Sequence, residues 1–68
     1  MDIQEILTQI ELANFKDQVV DRLVDDIHGI NLESVDETIQ GLKEKRGSLK
    51  SEDSNQALEL LIKRLESQ

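Results

Sequence analysis

Two carboxylates and one imidazole share one side of a predicted helix, at a spacing that brings metal ligands together. Asp21, Asp25 and His28 follow one another at i, i+4 and i+7, and these residue types bind divalent transition metals. The set is incomplete, because it offers only three exposed side chains. His28 is also favoured by the negative end of a helix dipole. We therefore predict a solvated helix face with no metal and no cofactor.

The other residue types give no pattern of an enzyme active site. His28 is the only histidine, so the serines lack the base that a Ser-His-Asp constellation requires. The glycines stand at positions 29, 41 and 47, which is not the spacing of a phosphate-binding loop. No acidic residue is predicted on an apolar face, where burial would adapt a carboxyl for acid–base chemistry. We predict that the chain is not an enzyme and has no catalytic residue.

Acidic side chains form a row on the exposed side of the same predicted helix. Asp17, Asp21 and Asp25 recur every four residues, and we call this row the Asp ridge. Such rows are common on solvated helices, yet a chain with a net charge of −7 also attracts basic surfaces. The Asp ridge is therefore the candidate binding site for a basic-surfaced protein.

Basic residues concentrate in one short segment of the chain. Half of the eight basic residues fall there, namely Lys43, Lys45, Arg46 and Lys50. No aromatic side chain lies among them, as a nucleic-acid interface would favour, and basic residues are ordinary at the end of a helix. Because a net charge of −7 opposes binding to polyanions, we expect no nucleic-acid partner. DNA binding ranks behind two protein-binding hypotheses.

The composition limits the class of protein. Sixty-eight residues allow one domain, 1–68, with a small core. The chain contains no Cys, so it cannot form disulfides. Association with another chain is then the remaining way to stabilise so small a core. No apolar run approaches the roughly 20 residues that span a bilayer, and the acidic start is unlike a signal peptide. We expect a soluble, cytoplasmic protein with no membrane partner.

The apolar residues recur with the period of amphipathic helices. The predicted segments, 2–12, 15–28, 32–46 and 52–66, form an all-α bundle of three to four short antiparallel helices. The second segment has the widest apolar stripe, made by Phe15, Val19, Val20, Leu23, Val24 and Ile27. Because this stripe is wider than that of an ordinary surface helix, we expect the second helix in the middle of the bundle and most deeply buried.

Polar residues and glycines predict where the helices begin and end. Asp2 is a good cap for the first helix, and Glu5 completes a capping box. Leu12 falls off the first apolar stripe, which predicts a turn near Ala13–Asn14 or a bend in one continuous helix. The other predicted boundaries are Asn14 and Gly29 for the second helix, Asn31 or Ser34 and Gly47 for the third, and Ser51 or Ser54 for the fourth.

Two positions do not fit the predicted packing. Leu60 points away from the apolar face of the fourth helix, so it is a candidate contact residue. Gly41 is predicted on the outer side of the third helix, where it costs about 1 kcal/mol relative to Ala. Either the third helix frays at Gly41 or another backbone comes close.

These patterns favour a non-enzymatic protein–protein interaction or small accessory module. We expect it to self-associate, with Leu60 or the outer side of the first helix buried between copies. The alternative is an acidic inhibitor, a polyanion mimic or antitoxin-like protein, that covers a basic site on its target. The candidate partner-binding residues are Asp17, Asp21, Asp25 and Leu60.

Overall fold

Helices make up all the regular structure in the residues that the computed structural model describes, which are 2–30 and 35–67. They are α1 (Ile3–Leu12), α2 (Lys16–Ile30), α3 (Val35–Glu44) and α4 (Glu52–Glu66). Apolar side chains from all of these helices meet in one core. The all-α class and the small helical bundle are confirmed. The antiparallel order of the helices and the self-association stay predictions.

The helix in the middle of the described bundle is α4 rather than α2. α4 packs against each of the other three helices, whereas α2 packs mainly against α1 and, most extensively, against α4. Leu58, Leu61 and Ile62 of α4 are completely buried. The apolar stripe of α2 is narrower than predicted because Phe15, which was expected to extend it, is exposed.

α1 and α2 are separate helices joined by a short turn, and not one bent helix. At the start of α1, Asp2 Oδ1 accepts a hydrogen bond from the Glu5 N–H at 2.8 Å, which confirms the predicted cap. At its end, the Ala13 N–H donates to the Ile10 carbonyl at 3.3 Å. Lys16 Nζ donates to the carbonyls of Ile10 at 2.9 Å and Ala13 at 3.1 Å. The Lys16 side chain thereby ties the end of α1 to the start of α2.

Phe15 lies at the boundary of α2 and not in its apolar stripe. Its carbonyl accepts a hydrogen bond from the Val19 N–H at 3.2 Å. The carbonyls of Asp2 and Ser51 accept the equivalent bond, from the residue four positions later, at the starts of α1 and α4. Phe15 is therefore the N-cap residue, whose backbone lies outside the helix and whose side chain leaves the helical period. The predictions of Phe15 as a core residue and of Asn14 as the cap are wrong.

The end of α2 also differs from its prediction. α2 continues through Gly29 to Ile30, so Gly29 does not end the helix in the left-handed conformation. The first described residue of α3 is Val35. The two candidate caps of that helix, Asn31 and Ser34, lie outside the described residues.

The linker between α3 and α4 contributes to the core. α3 ends at Glu44, and Gly47 adopts a φ of +75° in the turn that follows. Leu49 is buried, which its position in a polar segment did not predict. The Asn55 side chain holds it, since Oδ1 accepts from the Leu49 N–H at 3.0 Å and Nδ2 donates to the Leu49 carbonyl at 3.2 Å.

α4 begins at the first of its two candidate caps. Ser51 Oγ accepts from the Ser54 N–H at 3.1 Å and donates to Ser54 Oγ at 2.9 Å. Ser54 is buried, and this bond satisfies its hydroxyl. The pair fixes the start of the helix whose residues fill the centre of the bundle.

Gly41 of α3 lies against the Ile3 side chain of α1. A Cβ placed on Gly41 would lie 2.9 Å from Ile3 Cδ1 and 3.0 Å from Ile3 Cγ1. Gly41 is partly buried, so its prediction on the outer side of the helix is wrong. The close approach comes from a side chain and not from another backbone.

This contact predicts that the effect of Gly41→Ala depends on Ile3. The substitution favours the helix by about 1 kcal/mol, but in the native chain it must displace the Ile3 side chain. In an Ile3→Ala background the obstacle is gone, so Gly41→Ala should stabilise the chain by about 1 kcal/mol. Denaturant unfolding of the four proteins measures this coupling. Equal effects in both backgrounds would show that Ile3 does not restrict position 41.

Candidate partner-binding surface

Two large apolar side chains are strongly exposed among the described residues. Leu12 is 78% exposed and Phe15 is 71% exposed. They flank the turn between α1 and α2, since Leu12 ends α1 and Phe15 caps α2. Single exposed apolar residues are normal on protein surfaces, but these two share one groove.

That groove lies beside the turn and has a volume of about 470 Å³. Its lining includes Gln9, Leu12, Ala13, Phe15, Gln18 and Arg22, and we call it the α1–α2 groove. None of the described residues that line it is acidic. The Arg22 guanidinium donates to Gln9 Oε1 at 2.7 Å, so its lining combines apolar, amide and guanidinium groups.

Phe15 also borders a second open groove, of about 560 Å³, between the starts of α2 and α4. Its lining includes Phe15, Asp17, Gln18, Asp53, Gln56 and Leu60, and we call it the α2–α4 groove. Asp17 and Asp53 stand in the first turns of their helices, where the positive end of the helix dipole favours a carboxylate. The α2–α4 groove therefore combines apolar side chains with two exposed negative charges.

The members of the Asp ridge have three different surroundings. Asp17 lines the α2–α4 groove, Asp21 forms an ion pair with Arg64 of α4, and Asp25 is exposed. An exposed pair such as Asp21–Arg64 contributes little to stability, but it compensates one of the three charges. The ridge as a partner-binding site stays a prediction.

Leu60 lies partly buried against the core and lines the α2–α4 groove. Its side chain thus contacts other residues of the chain on one side and the groove on the other. Its role as a partner-binding residue stays a prediction.

Part of the basic segment makes contacts within the chain. Lys43 Nζ lies 2.7 Å from Glu66 Oε2, and Arg46 Nε lies 2.9 Å from Glu59 Oε1. Both acidic partners belong to α4. These two basic side chains therefore connect the end of α3 and the turn that follows it to α4.

The described residues do not gather metal ligands. Across 2–30 and 35–67, no three His, Cys, Asp or Glu side chains are placed to hold one metal ion. Asp21, one member of the candidate set with Asp25 and His28, contacts Arg64. A separate finding on the same residues is that no helix has the length and apolar character to cross a membrane.

The sequence patterns did not identify Leu12 and Phe15 as a pair. Leu12 gave a signal, because it falls off the apolar stripe of its helix. Phe15 fits the helical period of α2, so the pattern predicted a buried side chain and not an exposed one. A cap placed at residue 15 would have removed it from the stripe.

Comparison with protein-family models, with curated proteins and with solved structures gives no match. The function proposed below rests on the geometry and charge of this chain.

Proposed function

We propose that the chain is a non-enzymatic protein–protein interaction module that self-associates. The observation that supports this most is the exposure of Leu12 and Phe15 in one shared groove. Exposed apolar surface of this kind marks interaction sites when it is contiguous. We also propose the cytoplasm as its compartment, since a chain without Cys has no need of an oxidising one.

The cap of α2 supports a binding role for Phe15. Asp2 and Ser51 cap α1 and α4 with side-chain oxygens, and such caps stabilise a helix by about 1 kcal/mol relative to a residue that cannot accept a hydrogen bond. Phe15 occupies the same position in α2 and has no such atom. The chain thus gives up stability where it exposes the ring, which is typical of residues that serve function rather than folding.

Self-association is tested by light scattering on a sizing column over a wide range of protein concentration. We expect a mass above the 7.8 kDa of one chain at high concentration and dissociation on dilution. The double variant Leu12→Ser/Phe15→Ser should stay monomeric with an unchanged helical circular dichroism spectrum, because both side chains are exposed. A native chain that stays at 7.8 kDa throughout would refute self-association.

A second candidate function is an acidic inhibitor that covers a basic site on its target. The α2–α4 groove favours it, because Asp17 and Asp53 flank the apolar side chains of Phe15 and Leu60. A target segment with basic and apolar residues at helical spacing would match this combination. Asp21 and Asp25 would extend the acidic surface along α2.

A designed amphipathic peptide of Lys and Leu probes this second function. Asp17→Asn/Asp53→Asn should weaken its binding at least about tenfold at low salt, because close charge pairs in an interface contribute above 1.4 kcal/mol. The matched control is Asp36→Asn/Glu37→Gln, which changes the net charge equally at two exposed positions in the first turn of α3, outside the groove lining. Equal weakening by both double variants would mean that the peptide responds to overall charge and not to this groove.

A further inference from the structure

We infer that the α1–α2 groove is covered by a second copy of this chain in a two-fold symmetric dimer. The inference rests on the proposed function, since it names the surface and the symmetry of the proposed self-association. Leu12 and Phe15 of one copy would pack against the same residues of the other.

The distribution of charge makes the α1–α2 groove suitable for contact with a second copy. The chain has 15 acidic residues and a net charge of −7, so two copies repel each other over most of their surfaces. The described lining of the α1–α2 groove contains no acidic residue. Contact at this groove therefore brings no acidic lining residues of the two chains together, and it covers the most exposed large apolar side chains of the described residues.

The second groove does not suit a second copy. The α2–α4 groove is lined by Asp17 and Asp53, and a symmetric contact there would place these carboxylates near their own counterparts. Like charges placed opposite each other disfavour an interface strongly. The two grooves beside Phe15 thus differ in the partner that each would accept.

Symmetry also places the two-fold axis. In an isologous interface, a side chain near the axis meets its own counterpart. Leu12 and Phe15 can pack against their own counterparts because both are apolar, whereas Arg22 would be repelled by the identical positive charge of its counterpart. The axis therefore passes beside Leu12 and Phe15, and Arg22, bound to Gln9 in the single chain, lies at the rim.

The area that a dimer needs extends the interface beyond these two side chains. A stable interface buries about 800 Å² on each partner, which is about a fifth of the 4504 Å² surface of the chain. Leu12 and Phe15 alone fall short of this area. We therefore place the exposed side chain of Gln18, which lines the same groove, in the interface as well.

A charge placed at Gln18 tests the inference. Gln18→Glu and Gln18→Lys should each weaken the dimer at least about tenfold at low salt, because each places two like charges across the axis. Added salt should restore part of the loss. Gln40→Glu and Gln40→Lys are matched controls on the exposed surface of α3, and they should change the dissociation constant less than about threefold. Sedimentation equilibrium measures all five proteins.

Mixing the two Gln18 variants provides the test of symmetry. An equimolar mixture of Gln18→Glu and Gln18→Lys should associate more tightly than either variant alone, because opposite charges then face each other. No recovery on mixing would overturn the two-fold arrangement. A native dimer that responds equally to substitutions at 18 and 40 would overturn the interface and leave self-association standing, whereas a monomeric native chain would refute both.

Discussion

Replacing Leu23 by Asp should abolish the cooperative thermal unfolding of this chain. Leu23 is completely buried in α2, on the helix that packs most extensively against α4. The substitution leaves a cavity and places a carboxylate without a partner in an apolar core, which costs several kcal/mol. A 68-residue domain has a total unfolding free energy of about 3–10 kcal/mol. The cost is therefore comparable to the whole stability.

Two further substitutions in α2 calibrate this result. Leu23→Ala should cost about 2–5 kcal/mol, so it should lower the melting temperature and leave the transition cooperative. Asp21→Ala should change stability by no more than about 1 kcal/mol, because the Asp21 side chain is 63% exposed and its ion pair with Arg64 is screened by water. Circular dichroism melting compares the three. Similar effects of Leu23→Asp and Asp21→Ala would show that the faces of α2 are assigned wrongly.

The middles of the helices could be predicted from the sequence because burial there follows the helical period. Val20, Leu23 and Ile27 fall on one side of α2 and are buried, as their spacing indicates. The ends of the helices are different, because a shift of the boundary by one residue decides whether a side chain belongs to the helix and follows its period. Phe15 lies one position before α2, at its cap, and its ring is exposed for that reason.

The two glycines near predicted helix ends show the same limit. Gly29 and Gly47 are both plausible left-handed end residues, yet only Gly47 has a positive φ among the described glycines. Gly29 lies inside α2. Local pattern does not separate these two cases, because the length of a helix also depends on the packing of its last turn.

The candidate surface could be predicted only in part: Leu12 falls off the apolar stripe of its helix, but the groove depends on contacts that the sequence does not show. Leu12 and Phe15 share a groove only because the α1–α2 turn brings them together, and the bonds of Lys16 to the Ile10 and Ala13 carbonyls hold that turn. In the same way, the three carboxylates of the Asp ridge are not equivalent, because Arg64 of another helix forms an ion pair with Asp21. The sequence gives the residue types, but it does not show which side chains from other helices contact them in the folded chain.

Phe15→Ser should make the single chain more stable and the dimer weaker. Ser at the N-cap of α2 accepts a hydrogen bond from an otherwise unpaired backbone N–H of the first turn, which contributes about 1 kcal/mol. For a domain of this size, 1 kcal/mol raises the melting temperature by about 4–8 °C. The gain should be measured by thermal unfolding at high dilution, where the native chain is monomeric.

The same substitution removes the aromatic ring that we propose lies at the centre of the dimer. Truncating such a central aromatic residue costs about 2 kcal/mol or more in binding, so Phe15→Ser should raise the dissociation constant about 30-fold or more. Because dimerisation stabilises the native state by mass action, the advantage of Phe15→Ser in melting temperature should shrink or reverse as concentration rises. The native chain should show this concentration dependence and the variant should not.

Phe15→Ala separates the two effects, because it removes the ring without supplying a cap. It should lose association as Phe15→Ser does, and it should lack the gain in stability at high dilution. The difference between the Ser and Ala variants then measures the cap alone, at about 1 kcal/mol. If both variants instead melted well below the native chain at high dilution, the ring would stabilise the monomer. Phe15 would then be a folding residue, and its exposure would no longer support a binding function.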